Sequence, residues 1–395
     1  MSKPTKPRVL HVVDSLGMGG AETWLMELLR FWAREGENAA QLDFVATSGK
    51  RGHFDDEVES LGGRIFYLRF GRAHLATFVR GWREILRQGD YAAIHDHQDF
   101  ASGWHFLAGV GSLPPVRIAH VHNPMIGFDH YYGITSSRRL TAMAGWKLVD
   151  RLATHICGTS AEILQKHGYR PGHRSPSVAV VHCGIDVNKF SGKRGADRRS
   201  VLEEFGWLPD SKIVLSVGRL DPALEFSHPQ NLKNTWFALN VVRHAALADP
   251  SVHYLVAGAG EAQRSAIMEH VRQWGLDERI RLIGLRNDVP RLMRAADLLL
   301  FPSVEEGLGM VAVEAQAAGL PVLASTAVPD ECIVVPQLYH SISLQEPLRY
   351  WATSLLAILG QPRISADDCQ LALERTGFSI ANSARHLMKI YSKAS

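Results

Sequence analysis

The stretch Phe301 to Ser325, FPSVEEGLGMVAVEAQAAGLPVLAS, constrains this chain more than any other. It opens on the apolar run Leu298 to Phe301, which reads as a buried strand, and Pro302 and Ser303 break that strand. A loop carrying Glu305, Glu306, Gly307 and Gly309 leads into a helical stretch, Met310 to Ala318, which Gly319 and Pro321 end. Pro321 to Ser325 begins the next strand. The whole is a strand–loop–helix–strand unit of an open α/β sheet, and such sheets bind ligands beyond the carboxyl ends of their strands.

Two carboxylates sit in the unit: Glu306 in the loop and Glu314, after seven intervening residues, in the helix. Between them Leu308, Gly309 and Met310 place backbone N–H groups at the helix N-terminus. Free N–H groups and the helix dipole make an anion site, and the glycines let a ligand come close to the backbone. Carboxylates beside an anion site are consistent with a ligand that is an anion flanked by hydroxyls, as in a sugar, a diphosphate and a ribose. A carboxylate accepts hydrogen bonds from a pair of vicinal hydroxyls.

The segment from Glu306 through Glu314 to Val322 resembles the Glu-x7-Glu signature of retaining family 4 glycosyltransferases of the GT-B fold, in the form seen in bacterial exopolysaccharide and capsule enzymes. The resemblance implies two Rossmann-like parallel-sheet domains facing across a cleft, with a last helix crossing back to the first domain. It implies domains at 1–187 (acceptor side) and 188–377 (donor side), with 378–395 as the returning helix. It also implies that Glu314 binds the nucleotide ribose and that Glu306 faces the donor sugar.

Length favours two domains as well, since 395 residues exceed one ordinary core. A net charge of +3 is too small to argue for nucleic acid. The charge is uneven, with eleven Lys/Arg against six Asp/Glu from Ser60 to Arg151. Cys157, Cys183, Cys332 and Cys369 are scattered without a CxxC pair, which suits reduced thiols in a cytoplasmic protein rather than a disulfide or zinc framework. The apolar run before Asp14 is the length of a strand, too short for a signal peptide, and no run reaches the length of a membrane span.

Along the first half, Val9 to Val13 reads as a strand, Asp14 to Gly20 as a glycine-rich loop, and Ala21 to Trp32 as an amphipathic helix with Trp24, Leu25, Leu28 and Leu29 inward. Gly17, Gly19 and Gly20 give GxGG, which fails the dinucleotide fingerprint. The GxGGAE loop resembles its counterpart in the glycosyltransferases, where Gly19 and Gly20 are implied to lie near the donor phosphates and the acceptor. The strand Ala92 to His95 ends in His95-Asp96-His97-Gln98-Asp99. Its spacing matches no standard zinc pattern, and it reads as polar residues lining a cleft. Val116 to Val121 ends in His120-Val121-His122-Asn123, with His120 and His122 on one side of the strand. The family's cleft histidine matches His122 better than His120. Met125 to Gly133 is aromatic, and the helix after it mixes Arg138, Arg139, Lys147 and Arg151 with Trp146. That mixture fits either the inner membrane surface or a solvated, packed helix. His182-Cys-Gly-Ile-Asp186 through Phe190 resembles the family's linker start, and Ser191 to Ser200 reads as a polar boundary zone.

The second half repeats the pattern. Ile213 to Val217 reads as a strand followed by Gly218-Arg219. The family's lysine arrives late here, as Lys233, after an insertion from Asp221 to Leu232. Arg219 and Lys233 are implied to neutralise the diphosphate. Leu285 and Arg286 follow the strand Arg281 to Ile283, in the loop implied to hold the base through its backbone. Leu348 to Leu359 and Phe378 to Tyr391 read as helices.

These readings lead to an expected activity: transfer of a sugar from a nucleotide-diphosphate sugar, with UDP preferred, to a hydroxyl acceptor such as a lipid-linked saccharide in cell-surface polysaccharide synthesis. The resemblance implies retention of configuration by a front-face mechanism. The chain holds no Asp-x-Asp, which agrees with a site that needs neither metal nor cofactor, where Arg219, Lys233 and helix N–H groups stabilise the leaving group. The expected setting is the cytoplasm, peripheral to the membrane face. Two alternatives stand beside it: a nucleotide-sugar epimerase or hydrolase of the same fold, and a non-catalytic binding subunit.

Overall fold

The computed structural model describes residues 6–36, 39–123, 136–173, 175–222, 228, 231–361 and 363–392. The aromatic segment Met125 to Gly133 and most of the insertion before Lys233 lie outside them. The chain divides into two compact units, Met1–Ile185 with Gly377–Ser395, and Asp186–Thr376.

Each unit is built on one parallel sheet. The first contains β1 (Arg8–Val13), β2 (Gln41–Ala46), β3 (Ile65–Tyr67), β4 (Ala93–Asp96), β5 (Val116–Val121), β6 (His155–Gly158) and β7 (Ser177–Val180), in the order β3-β2-β1-β4-β5-β6-β7. The second contains β8 (Lys212–Val217), β9 (Val252–Ala257), β10 (Ile280–Gly284), β11 (Leu298–Phe301), β12 (Val322–Ser325) and β13 (Tyr339–Ile342), in the order β10-β9-β8-β11-β12-β13. All pairings are parallel. In both sheets the winding reverses beside the first strand, between β1 and β4 and between β8 and β11, which gives each unit a topological switch point. Central strands such as β4 and β11 are buried along their length rather than alternating. All four residues of β11, LLLF, are apolar and buried, while β1 and β4 carry the buried His11, His95 and Asp96.

The helix Gly20–Arg34 buries Trp24, Leu25, Leu28 and Leu29, as its periodicity predicts. The boundary expectation at Ser191 to Ser200 needs correction. Arg194–Phe205 is a helix inside the second unit. It has no apolar stripe for periodicity to reveal and is held by charge instead. Arg194 and Arg198 reach Asp297 at 2.5 and 2.8 Å, and Asp197 receives Arg294 at 2.6 Å. β13 and the helix Ala366–Glu374 also lie where the sequence pattern was weak. Among the described residues, no helix is long and apolar enough to cross a membrane.

The last helix, Ile380–Tyr391, belongs to the first unit, as the family resemblance implies for it. The Ser383 hydroxyl accepts a hydrogen bond from Trp24 Nε1 at 3.1 Å and donates to the His182 carbonyl at 2.9 Å. Ile185 N–H donates to the Phe378 carbonyl, and Ile380 N–H to that of Ile185. Gly184 lets the two segments meet, since a Cβ there would come within 2.7 Å of Ser383 Cβ and 2.8 Å of Ile380 Cα. Gly184→Ala is expected to cost about 1–3 kcal/mol through this overlap. A chemical-denaturation midpoint equal to wild type would show that the segments separate without cost.

Candidate functional site

In the second unit the predicted donor-side residues converge at the ends of β8 and β11. Gly309 adopts a left-handed conformation (φ 82°) and starts the helix Met310–Ala317, with Glu314 half-buried on it. The helix is fastened at its C-terminal end. Gln316 donates to the carbonyls of Ala312 and Cys332 and accepts from Val334 and Val335 N–H. Arg363, whose pKa burial pushes down to about 10, donates to the carbonyls of Ala318, Gly319, Arg294 and Ala296. Leu308 and Gly309 are buried and Met310 half-buried.

Lys233 reaches this helix start despite the insertion. Its Nζ lies 2.5 Å from Glu306 Oε1 and 5.8 Å from the centre of the Phe301 ring. Its methylenes pass over Gly218. The responsible residue is Asp221, buried at the mouth of the insertion and not singled out from sequence. Its carboxylate accepts the Lys233 N–H at 2.9 Å and the Thr235 N–H at 2.6 Å, so both ends of the insertion close on one side chain. An Asp before Pro222, with a threonine at the next helix start, was the available signal. Val304 N–H to the Leu232 carbonyl, at 2.8 Å, ties the lysine loop to the Glu306 loop.

Arg219 follows Gly218 and is exposed. Leu285 is 55% exposed. The Arg286 guanidinium is committed to Asp288 at 2.7 Å and Glu204 at 2.8 Å. Asp288 and Glu204 raise the Arg286 pKa, and Arg286 with Arg291 holds that of Asp288 down at about 2. The Arg286 side chain is therefore engaged within its own unit, while Leu285 and Asn287 are exposed.

In the first unit, Gly19 and Gly20 begin the helix after β1, and the Glu22 carboxylate folds over Gly19. His122 does not stand alone. Five imidazoles gather at the ends of β1, β4 and β5: His11, His95, His97, His120 and His122. His11 and His95 are register partners across β1 and β4. His97 Nδ1 lies 2.8 Å from His122 Nε2, and His97 Nε2 lies 3.0 Å from His11 Nδ1. His95 shares hydrogen bonds with Tyr391 Oη at 2.7 Å and His120 Nδ1 at 3.0 Å. Trp24 packs edge-on against His95, His97 and His120. His11, His95 and His120 are fully buried, while His97 and His122 are half-buried. Asp96 faces away, to His105 and Ser102. His95 and His97 were expected as polar residues lining a cleft, and His95 is instead fully buried. That they sit in one cluster with His11 follows from strand adjacency, which a linear sequence does not display.

Burial lowers the His11 pKa to about 3 and that of His122 to about 4, and it drives His95, His97 and His120 well below the ordinary range, with mutual repulsion adding to the effect. The folded pKa lies below the unfolded one, so the unfolded chain binds more protons in acid. The stability is present above about pH 6.5 and is lost as pH falls through that value toward the folded pKa, at about 1.4 kcal/mol per pH unit for each ring kept neutral. Urea midpoints are expected to fall between pH 7 and 5, and less steeply in His11→Gln. Parallel slopes for the two proteins would refute the assignment.

Comparison with known proteins agrees with this fold. Residues 18–189 match the family model described as Glycosyltransferase Family 4, and residues 211–338 match Glycosyl transferases group 1. The chain is 28% identical over 391 residues to the glycosyltransferase EpsF of Bacillus subtilis, covering 98% of this chain and 97% of that protein. It is 28% identical over 315 residues to the D-inositol 3-phosphate glycosyltransferase of Mycolicibacterium smegmatis, covering 78% of this chain and 68% of that one. Among solved structures, Anabaena HepE in complex with UDP-glucose superposes with a TM-score of 0.71 at 19% identity, covering 98% and 99% of the two chains. A glycosyltransferase from Rickettsia africae gives 0.76 at 15%, covering 99% of each. With two parallel-sheet units in Rossmann order and a glycosyltransferase module matched in each half, the chain belongs to the glycosyltransferases of the GT-B fold.

Proposed function

We propose that this glycosyltransferase moves a sugar from a nucleotide-diphosphate sugar, a UDP-sugar first, to a hydroxyl acceptor with retention of configuration and without a metal at the donor site. The observation that carries the reading is the Lys233–Glu306 pair at the start of the Met310–Ala317 helix. It puts a cation, a carboxylate and helix N–H groups together where a diphosphate and a sugar would lie. Lys233, Arg219 and the N–H groups of Leu308, Gly309 and Met310 stabilise the departing diphosphate. Glu306 orients the sugar, and Glu314 accepts from the ribose hydroxyls. The backbone at Leu285 and Arg286 borders the base. Gly19, Gly20 and His122 enter through the family resemblance, His122 as the group touching the donor sugar. Attack and departure then occur on one face of the sugar. A neighbour solved with UDP-glucose supports the choice of base.

The acceptor in this reading is a lipid-linked saccharide, met at the inner membrane surface. The helix Ser136–Leu152 supports it. Leu140 and Met143 are 71% and 60% exposed, and they share a helical face with Arg139 and Lys147. Apolar side chains among cations suit an anionic bilayer.

Two measurements test the reading. In a thermal-shift panel of nucleotides and nucleotide sugars, UDP is expected to stabilise the wild type with or without EDTA. At 100 times its dissociation constant the gain is about 2.7 kcal/mol. Glu314→Ala is expected to lose the shift, and Asp221→Ala to weaken it by releasing Lys233. Stabilisation by no nucleotide would overturn the donor site. Co-sedimentation with phosphatidylglycerol vesicles is expected for the wild type and to fall several-fold in Leu140→Asp/Met143→Asp. Equal pelleting of the two would remove the membrane assignment.

A further inference from the structure

We propose that the histidine cluster of the first unit is a binding site for one divalent transition-metal ion of the Zn2+ class, held by His97, His120 and His122. Each of the three offers a ring nitrogen, and these nitrogens lie within 4.8 Å of one another. Two nitrogens on a tetrahedral Zn2+ with bonds of about 2.0–2.1 Å stand roughly 3.3 Å apart. His97 Nδ1 and His122 Nε2, at 2.8 Å, need only small ring rotations to admit the ion. His120 has its Nδ1 engaged by His95, which leaves Nε2. That nitrogen is buried without a hydrogen bond of normal geometry. An unsatisfied buried polar atom is costly, and coordination would remove the cost.

The two other histidines then have a role. Metal-binding histidines hold their second nitrogen in a hydrogen bond that fixes tautomer and ring orientation. With Nδ1 of His97 on the ion, its proton sits on Nε2 and is donated to His11 Nδ1, 3.0 Å away. With Nε2 of His120 on the ion, Nδ1–H donates to His95 Nε2, and His95 Nδ1–H donates to Tyr391 Oη at 2.7 Å. One tautomer set satisfies every one of these contacts. Three imidazoles without carboxylate or thiolate favour Zn2+, Co2+, Ni2+ or Cu2+ over Mg2+ or Ca2+. Three protein ligands leave a fourth position open, and the half-burial of His97 and His122 leaves it within reach of water. His122 keeps Nδ1 for another ligand, so the site does not compete with a sugar contact. The inference does not depend on the charged residues of the donor reading, Lys233, Arg219, Glu306 and Glu314, which lie in the other unit; His122 is the one residue named as touching both ligands.

The test is metal binding by the chelator-stripped full chain. Zn2+ is titrated in competition with a chromogenic chelator, and Co2+ is followed by its ligand-field absorption. The expected result is one ion per chain, submicromolar affinity for Zn2+ and tetrahedral Co2+ bands. His97→Gln and His120→Gln are expected to weaken binding at least ~100-fold, and His11→Gln, an orienting residue, by roughly 10- to 100-fold. His53→Gln, an exposed histidine elsewhere, serves as the unchanged control. Near-UV circular dichroism identifies variants that have unfolded. The wild-type titration also decides by itself: a folded wild type that binds neither Zn2+ nor Co2+ overturns the proposal. Tight binding that survives both His97→Gln and His120→Gln in folded protein overturns it too. Loss of UDP binding in Glu314→Ala, with metal uptake intact, keeps the two readings separable.

Discussion

Burial of both faces of a parallel sheet is the constraint on which this molecule depends. Residues such as Leu298 to Phe301 have apolar surroundings on either side, so a polar group inside a strand must be paired to offset its desolvation, as Asp43 is by Arg8, Arg64 and Tyr91. Polar groups are driven to the strand ends, where loops and helix N-termini satisfy them. Glu306, Arg219 and Lys233 follow β11 and β8, and the histidines sit at the ends of β1, β4 and β5. The winding reversal beside β1 and beside β8 parts the loops at those ends and leaves room there for a ligand.

The two clusters solve the same problem in opposite ways. The Lys233–Glu306 pair keeps both charges, with the lysine side chain 37% and the glutamate 11% exposed. Such a pair is worth little as a source of stability, since desolvation offsets much of the attraction. Its value lies in holding a cation ready beside a helix N-terminus, where an incoming diphosphate can replace the carboxylate as its partner. The histidine cluster gives up charge altogether. Five rings are kept neutral by burial and share hydrogen bonds that leave only His11 Nε2 and His120 Nε2 buried without a partner.

Much of this was legible in the sequence because it is local. The strand Leu298–Phe301, the Gly309 helix start and Glu314 lie within seventeen residues, and their order alone specifies the unit. The apolar face of Gly20–Arg34 was equally plain. What was not legible depends on contacts between distant residues. The helix Arg194–Phe205 buries only Val201 and Leu202 and pairs its charges with Asp297 and Arg294, about a hundred residues away. The histidine cluster draws on three strands, and Tyr391 supports it from the far end of the chain. Two short His-x-His runs suggest little until β4 and β5 are known to be neighbours.

Asp221 shows how such a fold accepts an insertion next to its chemistry. Lengthening a loop adds closure entropy only slowly, about 0.6 kcal/mol for each doubling, so free energy alone does not forbid twelve extra residues. Geometry is the stricter demand, because Lys233 must still arrive over Gly218. One buried carboxylate that accepts the N–H groups of both Lys233 and Thr235 meets that demand at the base of the loop. Whatever path the inserted residues take, their exit is fixed where they rejoin the fold. The position of the lysine is then set by the clamp and not by the length of chain before it, which explains how a displaced sequence motif still delivers its cation to Glu306.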